Sequence, residues 1–238
     1  MNSVIVTLAA YNEARSIGPV VREIVRLGYR CIVVDDGSTD QTSEIAAANG
    51  AEVARHHANL GQGHAILTGI DCAMLDPSCE IIVSMDADGQ HAPEEIALFV
   101  DQLTSGHADL VVGSRVLGSP ARKNSLPRKV FAPFYTWMIN RMVGLELTDA
   151  LTGFRAYRRR SLDQVADVLN NMLEPQYLTS EMLFRFRRSG FNFEEVPVHI
   201  RSRTHGVSHK GMFRMGFGIL RAMVRAAFAP DARTNSRC

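Results

Sequence analysis

The chain has 238 residues, enough for one large domain or one domain with an appendage, and its 46% apolar content suits a packed core. No run of about 18 apolar residues is present, and the start MNSVIVTLAAYNE lacks a basic flank and a cleavage site; neither a membrane span nor a signal peptide is expected. The net charge of +1 hides a split: residues 1–110 hold 5 Lys+Arg against 16 Asp+Glu, and residues 111–238 hold 21 against 9. An acidic half suits a cation and a basic half suits phosphates, anionic lipid or nucleic acid; attraction between the halves is the plainer reading.

In chain order, SVIVTLAA reads as a strand, and Ala14 to Leu27 carries apolar residues at helical spacing (Ile17, Val20, Val21, Ile24, Val25). CIVVDD is a second strand ending in Asp35 and Asp36. Ser38/Thr39 are expected to cap a helix running through Ala48, with Gly50 as its stop. AEVARH is a short strand, Gly63 to Leu75 a helix, IIVSMD a strand, Pro93 to Thr104 a helix, and ADLVVGSR another strand. Apolar strands separated by helices predict an α/β, mostly parallel sheet covered on both faces. Ligands of such sheets bind beyond the carboxyl ends of the strands, where Asp35, Asp36, Asp86, Asp88 and Arg115 all fall.

The second half is less regular. A helix is expected over Pro127 to Val143, then a turn plus a basic run (DALTGFRAYRRR), a helix over 178–189, a strand in FNFEEVPVHIRSR and a polar loop, RTHGVSHKG. Met212 to Ala229 reads as a basic amphipathic helix: Phe213, Phe217, Leu220, Val224 and Phe228 form one stripe, with Arg214, Arg221 and Arg225 beside it. It can lie in a membrane interface, or pack on the domain or on a second subunit. A disordered tail is expected over 230–238.

Among chemically distinctive stretches, IIVSMDADGQH ends a strand with two carboxylates in close sequence. A turn explains them, and so does a divalent cation; Mg²⁺ or Mn²⁺ is commonly held by one or two carboxylates plus substrate phosphates. Asp88, with Asp86 and Gln90, is the candidate set. Asp35–Asp36 can bond a base or ribose, or build a turn. Gly-rich NLGQGHA lets a ligand approach backbone but lacks the Walker spacing. Arg115, Arg128, Arg155 and Arg203 are fork-shaped phosphate ligands at loop positions. His56, His57 and His64 lack metal-ligand spacing, and Trp137 reads as a packing or interface anchor. Cys31, Cys72, Cys79 and Cys238 form no Cys-x-x-Cys pair, so neither zinc nor a disulfide framework is expected, which fits a reducing cytoplasm. Interleaved aromatics of RNA-binding order are absent, so nucleic acid is not an expected partner.

AAYNE (9–13), VVDDGSTD (33–40), NLGQGHAI (59–66), MDADGQH (85–91), GSR (113–115), DALTGFRAYRR (149–159) and EEVPVHIRSRTHGVS (194–208) occur in that order. As a set they resemble family-2 glycosyltransferases, and most closely the polyprenyl-phosphate, dolichyl-phosphate mannose synthase-like branch. The resemblance covers roughly residues 3–211. It implies a GT-A fold, with a Rossmann-like sheet over residues 1–211, divided into a nucleotide-sugar and metal half (1–110) and an acceptor half (111–211). It implies inverting transfer from a nucleotide-diphosphate sugar, with Mg²⁺ or Mn²⁺ as cofactor.

By that resemblance Ala10, Tyr11, Asn12, Glu13, Asp35, Asp36, Gly63 and Ala87 line the nucleotide-sugar, and Asp86, Asp88 and Gln90 hold metal and diphosphate. Arg115 and Arg128 would hold an acceptor phosphate, and Arg203 and Ser208 the donor side. The family loop commonly reads Arg-x-x-Gly-x-Ser-Lys; here His209 takes the lysine's place and Lys210 follows. A polyprenyl phosphate is already anionic and needs alignment on the face opposite the leaving group rather than a general base. A hydroxyl acceptor, in a glycan or secondary metabolite, needs a base. Glu181 is the candidate base, and otherwise a solvated helix residue. The expected partners are a nucleotide-sugar, a polyprenyl-phosphate acceptor, the cytoplasmic membrane surface as a peripheral site and a second copy of the chain.

Overall fold

The computed structural model describes residues 3–118, 126–165 and 178–201, together with Gly218, Arg221 and Arg225; over 126–130 it describes the backbone alone. Arg203, Ser208, His209, Lys210, most of the expected 212–229 helix and the 230–238 tail lie outside the described residues. Gly218, Arg221 and Arg225 are helical, and both arginines are exposed.

Seven strands form one sheet. β1 (Ser3–Ala10) lies between β2 (Arg30–Asp35) and β4 (Cys79–Asp86), parallel to both, and β3 (Glu52–Arg55) extends the β2 edge. On the other side β6 (Arg155–Arg158) runs antiparallel between β4 and β5 (Leu110–Ser114), and β7 (Phe193–Pro197) pairs parallel with β5.

The helices are α1 (Ile17–Arg26), α2 (Thr42–Ala48), α3 (Gln62–Met74), α4 (Ile96–Ser105), α5 (Arg115–Gly118), α6 (Leu126–Val143), α7 (Arg159–Asp163) and α8 (Leu178–Arg188). Side chains alternate across a strand, so β1 serves two cores. Val4, Val6 and Leu8 pack with Ile17, Val21 and Ile24 of α1 and Ile96 and Phe99 of α4. Ile5 joins Ile66 and Ile70 of α3, Ile139 of α6 and Met182 and Leu183 of α8. Each fully buried Ile, Leu or Val contributes roughly 1.5–3 kcal/mol. The face-to-face burial therefore fixes β1 in the middle and delivers its last residues to one end of the sheet.

Three expectations need correction. α2 starts at Thr42, not at Ser38/Thr39, because those two side chains are engaged by Asn12. The stretch read as turn and basic run contains β6 and α7.

Arg155, expected as a phosphate ligand, is structural instead, and Arg158 and Arg159 likewise bond backbone carbonyls. Arg155 is fully buried and donates Nε to Thr152 O at 3.0 Å, Nη1 to Thr179 O at 2.7 Å and Nη2 to Ala150 O at 3.0 Å. Burial pulls its pKa below the usual arginine value. Arg158 donates to Ala108 O at 2.7 Å, to Gly106 O at 2.9 Å and to Leu103 O, at the end of α4. Arg159 donates to Met74 O at 2.9 Å and to Asp76 O, at the end of α3. Cations at helix carboxyl ends contribute about 0.3–1 kcal/mol each. Part of the basic half is thus spent on capping helices that belong to the acidic half.

Candidate active site

The carboxyl ends of β1, β2 and β4 meet through their loops. Asn12 follows β1 with φ 55°, a left-handed conformation that Asn tolerates better than most residues. It is held there from both ends: its N–H donates to Ser38 Oγ at 2.9 Å, and its Oδ1 accepts Thr39 N–H at 2.8 Å. Glu13 N–H donates to Thr42 Oγ1 at 2.9 Å, and Asp36 N–H to Ala10 O at 2.8 Å. The two loops therefore form one braced unit, from which Tyr11 projects 45% exposed.

Asp35 and Asp36 build this unit from beneath. Both are buried. Asp35 Oδ1 accepts Ser38 N–H at 2.8 Å, and its Oδ2 accepts the Ser43 hydroxyl. Burial opposes the Asp35 charge, but these bonds and nearby Arg55 outweigh it and hold the carboxyl below its usual range. Asp36 Oδ1 takes Leu60 N–H at 2.9 Å and His56 Nδ1 at 2.8 Å, and its Oδ2 takes Gly61 N–H at 2.8 Å. Asp36 so fastens the Gly-rich loop to the end of β2. Gly37 permits the close approach: a Cβ there would lie 2.5 Å from Ala58 C. His56 also meets Thr68 Oγ1 at 3.0 Å, a structural role consistent with its lack of metal-ligand spacing.

Asp86 ends β4, and its side chain is one-third exposed. Its Oδ1 accepts Gln62 Nε2 at 2.8 Å. Its N–H donates to His91 Nδ1 at 3.3 Å, while His91 Nε2 lies 4.0 Å from Asp86 Oδ2. His91 is buried and stacked on Phe154, with ring centroids 4.9 Å apart. Burial holds its pKa below the usual histidine value, so the neutral ring supports Asp86 from behind. Asp88 Oδ1 accepts Gln90 N–H at 3.0 Å. Ala87 is buried between the two acids.

The hard oxygen donors of Asp86 and Asp88 fit Mg²⁺ or Mn²⁺. Gly153 faces Asp86, where a Cβ would stand 2.9 Å from Oδ1, so the absent side chain leaves a cradle there. Among the described residues no three His, Cys, Asp or Glu converge. A cation here would draw its remaining ligands from phosphate oxygens and water, the usual pattern for Mg²⁺.

Arg115 lies at the end of β5 and pairs with Asp149 through two nitrogens, Nε to Oδ2 at 2.5 Å and Nη2 to Oδ1 at 2.7 Å. Burial works against its charge, but Asp149 and the charge of Asp86 hold its pKa above the ordinary value. The 198–201 segment is pinned to the acidic turn: Arg201 N–H donates to Gln90 O at 2.8 Å, and His199 N–H to Glu95 Oε1 at 2.9 Å.

The structure brings Asp86, Asp88, Gln90 and Arg115 to one edge, beside the braced loops carrying Ala10, Tyr11, Asn12 and Glu13. Gly63 is buried in the first turn of α3. Arg128 lies on the first turn of α6. Glu181 departs from the expectation of a solvated residue: it is fully buried, with Oε1 2.7 Å from Arg185 Nε. That close pair is poorly aligned as a hydrogen bond, since Arg185 Nε and Nη2 lack a hydrogen-bond partner. Gln62 and Asp149 gained no role from sequence, although both stand inside motifs quoted above. Only their side-chain directions reveal them.

The model of the family described as "Glycosyl transferase family 2" matches residues 3–166. The chain is 32% identical over 235 residues to the polyprenol monophosphomannose synthase of Mycolicibacterium smegmatis, covering 94% of this chain and 85% of that one. It is 30% identical over 230 residues to the dolichyl-phosphate hexose transferase of Haloferax volcanii, covering 96% and 95%. In fold it is similar to glucosyl-3-phosphoglycerate synthase from Mycobacterium tuberculosis, solved with Mn²⁺, uridine diphosphate and phosphoglyceric acid. That match has a TM-score of 0.73 at 22% identity, over 97% of this chain and 80% of that one. The seven-stranded mixed sheet has the expected GT-A architecture. The chain belongs to glycosyl transferase family 2 and is a glycosyltransferase.

Proposed function

We propose that the protein transfers a sugar from a nucleotide-diphosphate sugar to a polyprenyl phosphate, with inversion and with a divalent cation, at the cytoplasmic face of a membrane. The burial of Glu181 carries this choice of acceptor. A carboxylate fully buried against Arg185 is poorly placed to take a proton from an acceptor hydroxyl, whereas a phosphate acceptor needs no base. The names of the Mycolicibacterium and Haloferax relatives support the same acceptor class.

In this reading the braced Tyr11–Glu13 unit receives the nucleoside, with exposed Tyr11 offering a flat face. Asp86, Asp88 and Gln90 hold the diphosphate end of the donor. A bound Mg²⁺ or Mn²⁺ supplies positive charge against the leaving diphosphate. Arg203, two residues beyond the pinned Arg201, is assigned to that diphosphate together with Ser208 and His209 or Lys210. Arg115 and Arg128 orient the acceptor phosphate opposite the leaving group, and alignment does the rest of the work.

A lipid acceptor also calls for a surface. α6 exposes Pro133, Phe134, Trp137 and Arg141, with Phe134 at 51% and Trp137 at 61%. Thr136, buried on the other side of the same helix, accepts Ala150 N–H at 3.4 Å, next to Asp149, so the helix is anchored beside the Arg115–Asp149 pair while its apolar face stays exposed. Aromatics with flanking cations suit the headgroup boundary. Among the described residues no helix is long and apolar enough to cross a membrane.

The test is to incubate the protein with common nucleotide-sugars, Mn²⁺ or Mg²⁺, and either undecaprenyl phosphate or soluble glycan acceptors. An acid-labile glycolipid is expected. Transfer to a soluble hydroxyl acceptor alone would overturn the reading.

A further inference from the structure

Two acidic groups act on Arg115. Asp149 takes its Nε and Nη2, and Asp149 Oδ2 also accepts Arg115 N–H at 3.2 Å. Asp149 is fixed in turn: its N–H donates to Glu195 Oε1 at 3.0 Å, and Thr148 N–H and Oγ1 donate to Glu195 Oε2 at 2.8 and 3.0 Å. The chain from Glu195 on β7 through Asp149 to Arg115 is therefore continuous. Asp86 ends β4 one strand away, since Ser84 of β4 and Val112 of β5 both pair with Arg155 of β6; it is one-third exposed, and its charge acts on Arg115. Arg115 is itself about one-quarter exposed, so its side chain has room to turn. A guanidinium drawn onto Asp86 would neutralise the same oxygens that suit a divalent cation.

We propose that Asp149 is a positioning residue: by gripping Arg115 at two nitrogens it keeps the guanidinium from closing over Asp86 as an internal counter-cation. Arg115 then keeps Nη1 for a phosphate, and the acidic seat stays open to metal. This rests on the metal reading of Asp86 and Asp88. Asp149→Asn keeps the size of the side chain but removes the charge that competes with Asp86 for Arg115.

Mn²⁺ binding to the full chain is followed by the paramagnetic resonance of the free ion, with thermal melts on the same samples. The samples are wild type, Asp149→Asn and Asp149→Asn/Arg115→Met. The single variant is expected to bind Mn²⁺ roughly tenfold more weakly, as loss of groups that orient a metal site commonly does. The double variant is expected to return to within about threefold of wild type, because the intruding cation is gone. Asp149→Ser reads the same way if the Asn variant does not fold. Wild-type affinity in the single variant, or no recovery in the double, overturns the proposal while leaving the metal reading intact. Failure of the wild type to bind Mn²⁺ removes both.

Discussion

Gln62 Nε2 donates to Asp86 Oδ1 at 2.8 Å, joining the first turn of α3 to the end of β4. Through this bond the Gly-rich loop, itself fastened by Asp36, sets the orientation of a carboxylate assigned to the donor diphosphate. Gln62→Ala is expected to lower kcat/KM roughly tenfold, in line with groups that orient metal ligands. Gln62 is exposed, so unfolding stability should stay within about 0.5 kcal/mol. Steady-state kinetics with denaturant melts check both halves, and unchanged kcat/KM removes the role.

Asp35 gives the protein an acid limit. Its folded carboxyl sits below the usual range, so the unfolded chain takes up the proton first as pH falls. The stability it contributes is complete above the ordinary Asp value of about 3.9 and is lost as pH falls through the lower folded value. Asp35→Asn should cost on the order of 1–3 kcal/mol at pH 7 and flatten the decline of stability below about pH 4. Urea unfolding at stepped pH measures both, and an identical acid slope in the variant counts against it.

Glu181→Gln separates stability from chemistry. It leaves Arg185 buried without a counter-charge, which costs on the order of 3 kcal/mol. Turnover per folded molecule on the lipid acceptor should stay near wild type. A stable variant with turnover lowered a thousandfold would instead make Glu181 the base and favour a hydroxyl acceptor.

The exposed face of α6 is tested by Phe134→Ser/Trp137→Ser. Removing two exposed aromatics should weaken sedimentation with anionic vesicles by roughly tenfold or more. The melting temperature should hold, because neither side chain is in the core. Undiminished vesicle binding would move the membrane contact elsewhere.

The alternation of apolar strands with amphipathic helices was legible by itself through β5, because burial on both sheet faces leaves a continuous apolar run and helical spacing leaves a stripe. The acids at strand ends were legible for the same reason, since a run that stops at Asp86 announces where the sheet stops. β6 was not, because its strand reads RAYR and its arginines look solvent-bound. Only the folded chain brings the carbonyls of Ala150, Thr152 and Thr179 around Arg155, and the ends of α3 and α4 to Arg159 and Arg158. The same holds at the candidate site. Sequence alone named Asp86, Asp88 and Arg115 as chemically apt, whereas tertiary structure decided which acid builds a loop, which glutamate is buried and which carboxylate grips an arginine. Hydrogen bonding depends on side-chain direction across partners 24–46 residues apart, and spacing along one chain does not encode that direction.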